Sequence, residues 1–267
     1  MGISQPDSAE APVAAVVIAV LNEAANVAPV CAELMPVLAA LGRCEVLFVD
    51  DGSTDATAAE IARQQQTNPA IRLLRHDRPC GKTAALRTGI AAARAPWIAT
   101  MDGDGQNDPA DLLRMLALGR NATRSQAGKP APLIAGIRRR RSDRLSRRIA
   151  TRIANGFRRA VLGDACPDTA CGMKVFRRDD FLRLPAFEGM HRFLPALFQL
   201  YGHETVCCPV GHRARLTGRS KYSNFGRALA GLADTAGVVW LRARTRLPAV
   251  VREEAPPLRV REEALSS

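Results

Sequence analysis

Four strand-like runs, each closed by a polar or glycine-rich cluster and followed by a stretch of helical length, limit what this chain can fold into. Residues 13–21 stop at Asn22-Glu23, residues 45–49 at Asp50-Asp51-Gly52, Ile71–Arg75 at a turn running from His76 to Gly81, and the run from Trp97 at Asp102-Gly103-Asp104. Runs that are apolar without alternation belong to strands covered on both faces. The segments between them, residues 24–41, a stretch capped by Ser53 or Asp55, and residues 82–94, carry helix signals. The expected fold is therefore α/β, a Rossmann-like, mostly parallel sheet with helices on both faces, which binds ligands at the carboxyl ends of its strands. The polar clusters after the first, second and fourth runs should share one rim.

Asp102 and Asp104 are the sharpest element of that rim. Two carboxylates at i and i+2 on a Gly-rich turn can aim oxygens at one hard divalent cation, leaving positions open for phosphate oxygens. A solvated Asp-Gly turn, with Asn107 capping the helix that follows Pro109, would show the same residues. The surroundings must decide.

The chain has 38 Lys+Arg against 26 Asp+Glu, a net charge of +12, so anionic partners are favoured: nucleotide phosphates, nucleic acid or an acidic membrane face. At 267 residues it can bury its core as one domain. Seven cysteines lack any CxxC pair, which argues against zinc and disulfide frameworks and fits a reducing cytosol. The N-terminus shows no basic region followed by an apolar stretch, so no secretory signal is expected. No membrane span is expected either, residues 229–241 being short and interrupted by Asp234.

The second half is less regular. Strands are expected at 133–137, 171–177 and 205–210, and helices at 190–201 and 224–242. From Arg138 a basic stretch runs through Arg159, and within it Leu145, Ile149, Ile153, Phe157 and Val161 recur every four residues. This basic amphipathic helix either docks on the core with a solvated back or lies on a phosphate-rich surface. The tail after 248 repeats VREEA and suggests no chemistry.

Taken in order, VVIAVLNEAANV (16–27), VLFVDDGSTDAT (46–57), TMDGDGQNDP (100–109) and RARLTGRSKY (213–222), with GKTAALRTG and DTACGMKVFRR between them, resemble the family-two glycosyltransferases of GT-A fold. Within that family the likeness is to the polyprenyl-phosphate sugar transferases of the dolichyl-phosphate mannose synthase type. It covers roughly residues 13–242. The organisation it implies is a flexible tail at 1–12, a GT-A domain at 13–223, an amphipathic, membrane-peripheral helix at 224–247 and a polar tail at 248–267.

The resemblance also implies roles. Asn22, Glu23, Asp50, Asp51, Lys82 and Asp102 would hold the nucleotide-sugar donor, Asp50 and Asp51 at its base and ribose. Asp102 and Asp104, with Gln106, would bind Mg²⁺ or Mn²⁺. Arg138, Arg147, Thr151, Arg215, Ser220 and Lys221 would grip the phosphate of a polyprenyl (undecaprenyl or dolichyl) phosphate acceptor, Arg147 and Arg215 also acting in catalysis. The family usually has Pro where this chain has Ala19. Arginine suits such a task, since its planar fork binds phosphate oxygens bidentately.

The implied reaction is one in-line displacement with inversion, needing no general base because the acceptor is already an anion. A relative acting on a soluble or polysaccharide acceptor would need a carboxylate base, for which Asp168 is the only candidate and reads better as part of a loop; His191 reads as structural. A nucleic-acid-binding protein is the remaining rival, but aromatic content is 4% and no aromatic residue interleaves with residues 138–152, so base stacking is absent and no nucleic acid is expected. The expected location is cytoplasmic, peripheral at the inner membrane face, beside a separate membrane partner.

Overall fold

The computed structural model describes residues 11–125, 128–139, 156, 158–164, 166–213 and 224–246, the side chains of 224–230 excepted. Seven strands form one sheet: β1 (Ala14–Val20), β2 (Cys44–Asp50), β3 (Ile71–Arg75), β4 (Trp97–Asp102), β5 (Leu133–Arg138), β6 (Lys174–Arg177) and β7 (Thr205–Val210), in the order β3-β2-β1-β4-β6-β5-β7. β3, β2, β1 and β4 are parallel neighbours, β5 pairs in parallel with β7, and β6 alone runs antiparallel, between β4 and β5. The chain leaves β1 toward β2 on one side and returns to β4 on the other. That reversal opens a crevice at the carboxyl ends of β1 and β4, where α/β sheets bind ligands.

The central strands β1, β2 and β4 are mainly apolar because successive side chains enter opposite layers. Val16 and Ile18 of β1 join Val46, Phe48 and Ala99 in a cluster with Leu34, Ile61, Leu112 and Met115, from α1 (Ala24–Leu41), α2 (Thr57–Thr67) and α4 (Asp111–Ser125). Ala15 and Val17 face the other way, with Leu47, Ile98 and Phe176, onto α3 (Lys82–Ala92) and the later helices α5 (Arg178–Leu182) and α6 (Leu194–Leu200). Gly89 lets α3 lie close to the sheet, since a Cβ there would come within 2.5 Å of Val17.

Three expectations need correction. The strand expected over 171–177 begins only at Lys174, because the residues before it turn beneath the end of β4. The helix expected over 190–201 is a 3₁₀ turn, Met190–Arg192, followed by α6. Pro195 sits in the first turn of α6, where its missing N–H costs no helix hydrogen bond and disfavours continuous helix before it. The third concerns α1, which at 18 residues and mean hydropathy 1.6 is long and apolar enough to cross a membrane by length and composition. Here Val27, Val30, Leu34 and Leu38 bury its face in the core.

The helix expected from 224 is present as α7 (Asn224–Arg244). It docks through buried Thr235 and Val238, an Arg192–Asp234 ion pair at 3.2 Å, and the guanidinium of Arg242 on the Leu162 carbonyl. Leu232, Val239 and Trp240 point outward.

Candidate active site

The three clusters meet at the carboxyl rim, tied together by a lattice of short hydrogen bonds. Asn22, at φ 51, accepts the Thr54 N–H on Oδ1 at 2.8 Å and donates its own N–H to the Ser53 hydroxyl at 2.8 Å. The Glu23 N–H donates to Thr57 Oγ1 at 2.8 Å, and the Glu23 carboxylate accepts from Asn26. The turn after β1 is thus bolted to the turn after β2.

Asp50 and Asp51, expected at the base and ribose of the donor, each hold a neighbouring turn. Asp50 is 0% exposed; its Oδ1 accepts the Ser53 N–H at 2.9 Å and its Oδ2 faces Arg75 Nε at 3.3 Å, so it shapes the turn from within. Asp51 accepts the N–H groups of Cys80 and Gly81, both at 2.8 Å, and His76 Nδ1 at 2.7 Å, while His76 Nε2 meets Thr88 Oγ1 at 2.9 Å. Asp51, His76 and Cys80 bring three possible metal-ligand atoms within 4.8 Å, but with the oxygens of Asp51 engaged by the loop the trio acts as a latch. The latch fixes the start of α3, and with it Lys82.

Lys82 reaches across the crevice to Asp102 Oδ1 at the end of β4. Burial pulls the Lys82 pKa down, yet the charge and hydrogen bond of Asp102 outweigh it and leave Lys82 above its ordinary value. The same contact, against burial, holds the Asp102 carboxyl below the usual range. Asp102 is packed from beneath by Gly172, where a Cβ would lie 2.3 Å from either carboxylate oxygen. Its N–H donates to Asn107 Oδ1 at 2.9 Å, closing the turn. Asp104 is nearly buried and accepts the Gln106 N–H at 3.2 Å.

A hard divalent cation fits this corner. Two carboxylates stand on one tight turn, Asp102 lies in a cradle only glycine allows, and an ammonium already rests on it. Gln106, expected as a third metal contact, donates its amide to the Arg213 carbonyl at 3.2 Å, while the Arg213 N–H returns to the Gln106 carbonyl at 2.9 Å and Asn107 bridges His212. The late RARLTGRSKY segment is therefore anchored beside the two aspartates by its first residue.

On the far side of Asp102 opens a cavity of about 300 Å³, lined by Lys82, Thr83, Gly172, Lys174, Glu188 and His191 among others. Lys174 is buried and donates to the carbonyls of Thr169 and Cys171, at 3.1 and 2.5 Å, which holds the loop carrying Gly172. Burial first, then neighbouring Lys82, lowers its pKa. His191 pairs through Nδ1 with Thr83 Oγ1 at 2.8 Å; burial, followed by Lys82, Lys174 and Arg192, holds it well below its ordinary value and hence neutral. Gly172 and Lys174 carried no expected role, although the CGMK stretch around them stood out as a family-like segment.

The residues expected at the acceptor phosphate fare differently. Arg138 clasps Asp168 in a fork, Nε to Oδ2 and Nη2 to Oδ1 at 2.7 Å each, so the structure joins it to an internal carboxylate rather than presenting its fork to a lipid. This also confirms Asp168 as a loop residue. Arg147, Thr151, Arg215, Ser220 and Lys221 lie outside the described residues, as does most of the basic amphipathic stretch.

Comparisons with known proteins agree with this geometry. The family model described as Glycosyl transferase family 2 matches residues 15–184. The chain is 32% identical over 229 residues to a dodecaprenyl-phosphate galacturonate synthase of Rhizobium johnstonii, covering 84% of this chain and 65% of that protein. It is 28% identical over 219 residues to an undecaprenyl-phosphate 4-deoxy-4-formamido-L-arabinose transferase of Salmonella paratyphi B, covering 81% and 64% respectively. The chain thus spans just under two thirds of the length of these curated relatives. Among solved structures, a glucosyl-3-phosphoglycerate synthase of Mycobacterium tuberculosis in complex with Mn²⁺, uridine diphosphate and phosphoglyceric acid superposes with a TM-score of 0.62 at 19% identity, over 88% of this chain and 80% of that one. The same enzyme with Mg²⁺ and uridine diphosphate gives 0.61 at 19% identity, over 85% and 80%.

Proposed function

The chain belongs to glycosyl transferase family 2, and we propose that it moves a sugar from a nucleoside-diphosphate sugar to a polyprenyl phosphate with inversion at the anomeric carbon. The observation that carries the proposal is the Asp102–Gly103–Asp104 turn at the sheet's switch point, with Lys82 on one carboxylate and the cavity opening beside it. The named activities of the two polyprenyl-phosphate relatives support the acceptor class, and the Mn²⁺ and Mg²⁺ complexes of the structural neighbour support a divalent cation.

In this scheme a phosphate oxygen of the acceptor attacks the anomeric carbon while the bond to the nucleoside diphosphate breaks, the leaving group taking the electron pair. Asp102 and Asp104 would hold Mg²⁺ or Mn²⁺, which would supply positive charge to the departing diphosphate. Asn22 and Glu23 order the nucleotide side of the rim, Lys82 meets the diphosphate, and Arg147 and Arg215 hold the acceptor phosphate in line. A phosphate monoester already bears an ionised oxygen at neutral pH, which can attack without losing a proton, so no base is assigned.

One observation favours a second reading. Glu188 lines the cavity, and a soluble hydroxyl acceptor would need such a carboxylate. Glu188→Gln separates the two, because transfer to a polyprenyl phosphate survives the change whereas transfer to a hydroxyl does not. The direct test incubates the purified protein, Mn²⁺ and labelled nucleotide sugars with polyprenyl phosphate. Label must enter the organic phase; label confined to aqueous oligosaccharide defeats the proposal.

The same proposal places the chain at the cytoplasmic membrane face, held there peripherally. Its support is α7, which turns Leu232, Val239 and Trp240 outward and ends at Arg242 and Arg244, an arrangement suited to the headgroup boundary. Flotation with anionic liposomes tests it: protein that stays wholly in the soluble fraction at low salt contradicts it.

A further inference from the structure

The contact between Lys82 and Asp102 has more behind it than a surface ion pair. Lys82 begins α3, and the backbone just ahead of it is pinned, since both oxygens of Asp51 take the N–H groups of Cys80 and Gly81. Asp102 is equally constrained, with Gly172 beneath its carboxylate and Asn107 holding its N–H. Two rigid mounts therefore present an ammonium and a carboxylate to each other across the crevice. The Lys82 side chain remains 39% exposed on a four-carbon stem, so its head can move while its root cannot.

A divalent cation on Asp102 must share the carboxylate with Lys82, which covers its Oδ1. A bare cation arriving alone must push the ammonium into water and then stand beside it, with like charges a few ångströms apart. A cation arriving with a diphosphate meets no such opposition, because the displaced ammonium gains phosphate oxygens for the carboxylate it gives up. We propose that Lys82 holds the cation's place on Asp102 and yields it only to the donor's diphosphate, so that cation and nucleotide bind cooperatively. This rests on the donor assignment made above. Linkage makes the coupling reciprocal: the nucleotide tightens the cation by the factor by which the cation tightens the nucleotide.

Mn²⁺ binding to the full chain, followed through the electron paramagnetic resonance of free Mn²⁺ with and without uridine or guanosine diphosphate, tests the idea. The native protein should bind Mn²⁺ weakly alone and on the order of tenfold more tightly with nucleotide. Lys82→Met should bind Mn²⁺ alone more tightly than the native protein does, so that the tightening by nucleotide shrinks, whereas Lys82→Arg should keep it in full. Lys82→Gln, read beside Lys82→Met, keeps the result decisive if one of them melts early. Equal Mn²⁺ affinity of the native and Lys82→Met proteins without nucleotide would overturn the proposal while leaving the donor site standing. No Mn²⁺ binding by the native protein and Lys82→Met, even with both nucleotides supplied, would instead remove the donor assignment and this proposal with it.

Discussion

The two halves of the sheet differ in what their charged residues chiefly hold. At the ends of β1, β2 and β4 the side chains of Asn22, Asp51, Asp104 and Asn107 accept backbone N–H groups of the turns, while the Asp102 carboxylate takes the Lys82 ammonium. Beyond β6 charge meets charge: Arg138 with Asp168, and Arg158 with Asp164 at 2.9 Å, both pairs largely buried. The first half is organised by side chains that hold backbone turns, some of them about thirty residues away in sequence, the second by buried ion pairs. The difference teaches that an arginine-rich stretch is weak evidence for a phosphate site until its partners are known, because some of its arginines serve the core.

The strongest way to break this contrast is to remove one member of the second kind. Arg158 also donates to the Cys166 carbonyl at 2.6 Å and to the Thr169 hydroxyl, so Arg158→Met strands the buried Asp164. Loss of about 3–5 kcal/mol of stability is expected in denaturant unfolding, with much of it restored by pairing the change with Asp164→Leu. In the first half a single carboxylate should matter to chemistry and little to folding. Asp104→Asn keeps an acceptor for the Gln106 N–H, so it should melt near the native temperature yet lose about 10²–10³ in transfer rate. If Asp104→Asn unfolded the protein instead, the contrast would fail.

That division also explains what could be read in advance. The parallel strands were legible because their apolar runs admit no solvated face, and the Asp102 turn was legible because its geometry lies within three residues. The Asp168 partner of Arg138 was not legible because it lies thirty residues away in sequence, and the insertion of antiparallel β6 beside β5 brings it near. Nothing in Lys174–Arg177 distinguishes an antiparallel strand from a parallel one. Gly172 was missed for a related reason: a glycine's importance depends on what occupies the space a Cβ would fill, and that neighbour is Asp102, seventy residues earlier.

Gly172→Ala joins the two halves in one experiment. A Cβ 2.3 Å from the Asp102 oxygens must displace either the carboxylate or the loop held by Lys174. Overpacking of about 1–3 kcal/mol is expected in the thermal unfolding midpoint, with activity lost out of proportion to stability. A fully active Gly172→Ala protein would show that Asp102 needs no such cradle.

A smaller effect should come from pH. Burial holds His191 well below its ordinary value of 6.5, so on acidification the unfolded chain takes up the proton first. The contribution to stability is whole above about pH 6.5 and is lost as pH falls below it, at no more than about 1.4 kcal/mol per pH unit for this one group. His191→Gln, which can still reach Thr83, should flatten that part of the stability profile between pH 6.5 and 5. An unchanged slope in the variant would assign the acid sensitivity to other groups.

The least effect is expected where the halves touch. Arg213 pairs with Glu33 at 2.7 Å and Asp108 at 3.1 Å, but its side chain is 46% exposed and such pairs contribute only about 0.2–1 kcal/mol. What ties the late segment to the Asp102 turn is backbone: the Arg213 N–H on the Gln106 carbonyl and the Asn107–His212 bridge. Arg213→Gln should therefore melt within about 1 kcal/mol of the native protein and retain transfer activity, the difference shrinking further in high salt as the exposed charges are screened. A large loss of activity with normal melting would mean that the guanidinium, and not the chain beneath it, carries the junction. The seam would then follow the charge-to-charge habit of the second half rather than the backbone habit of the first.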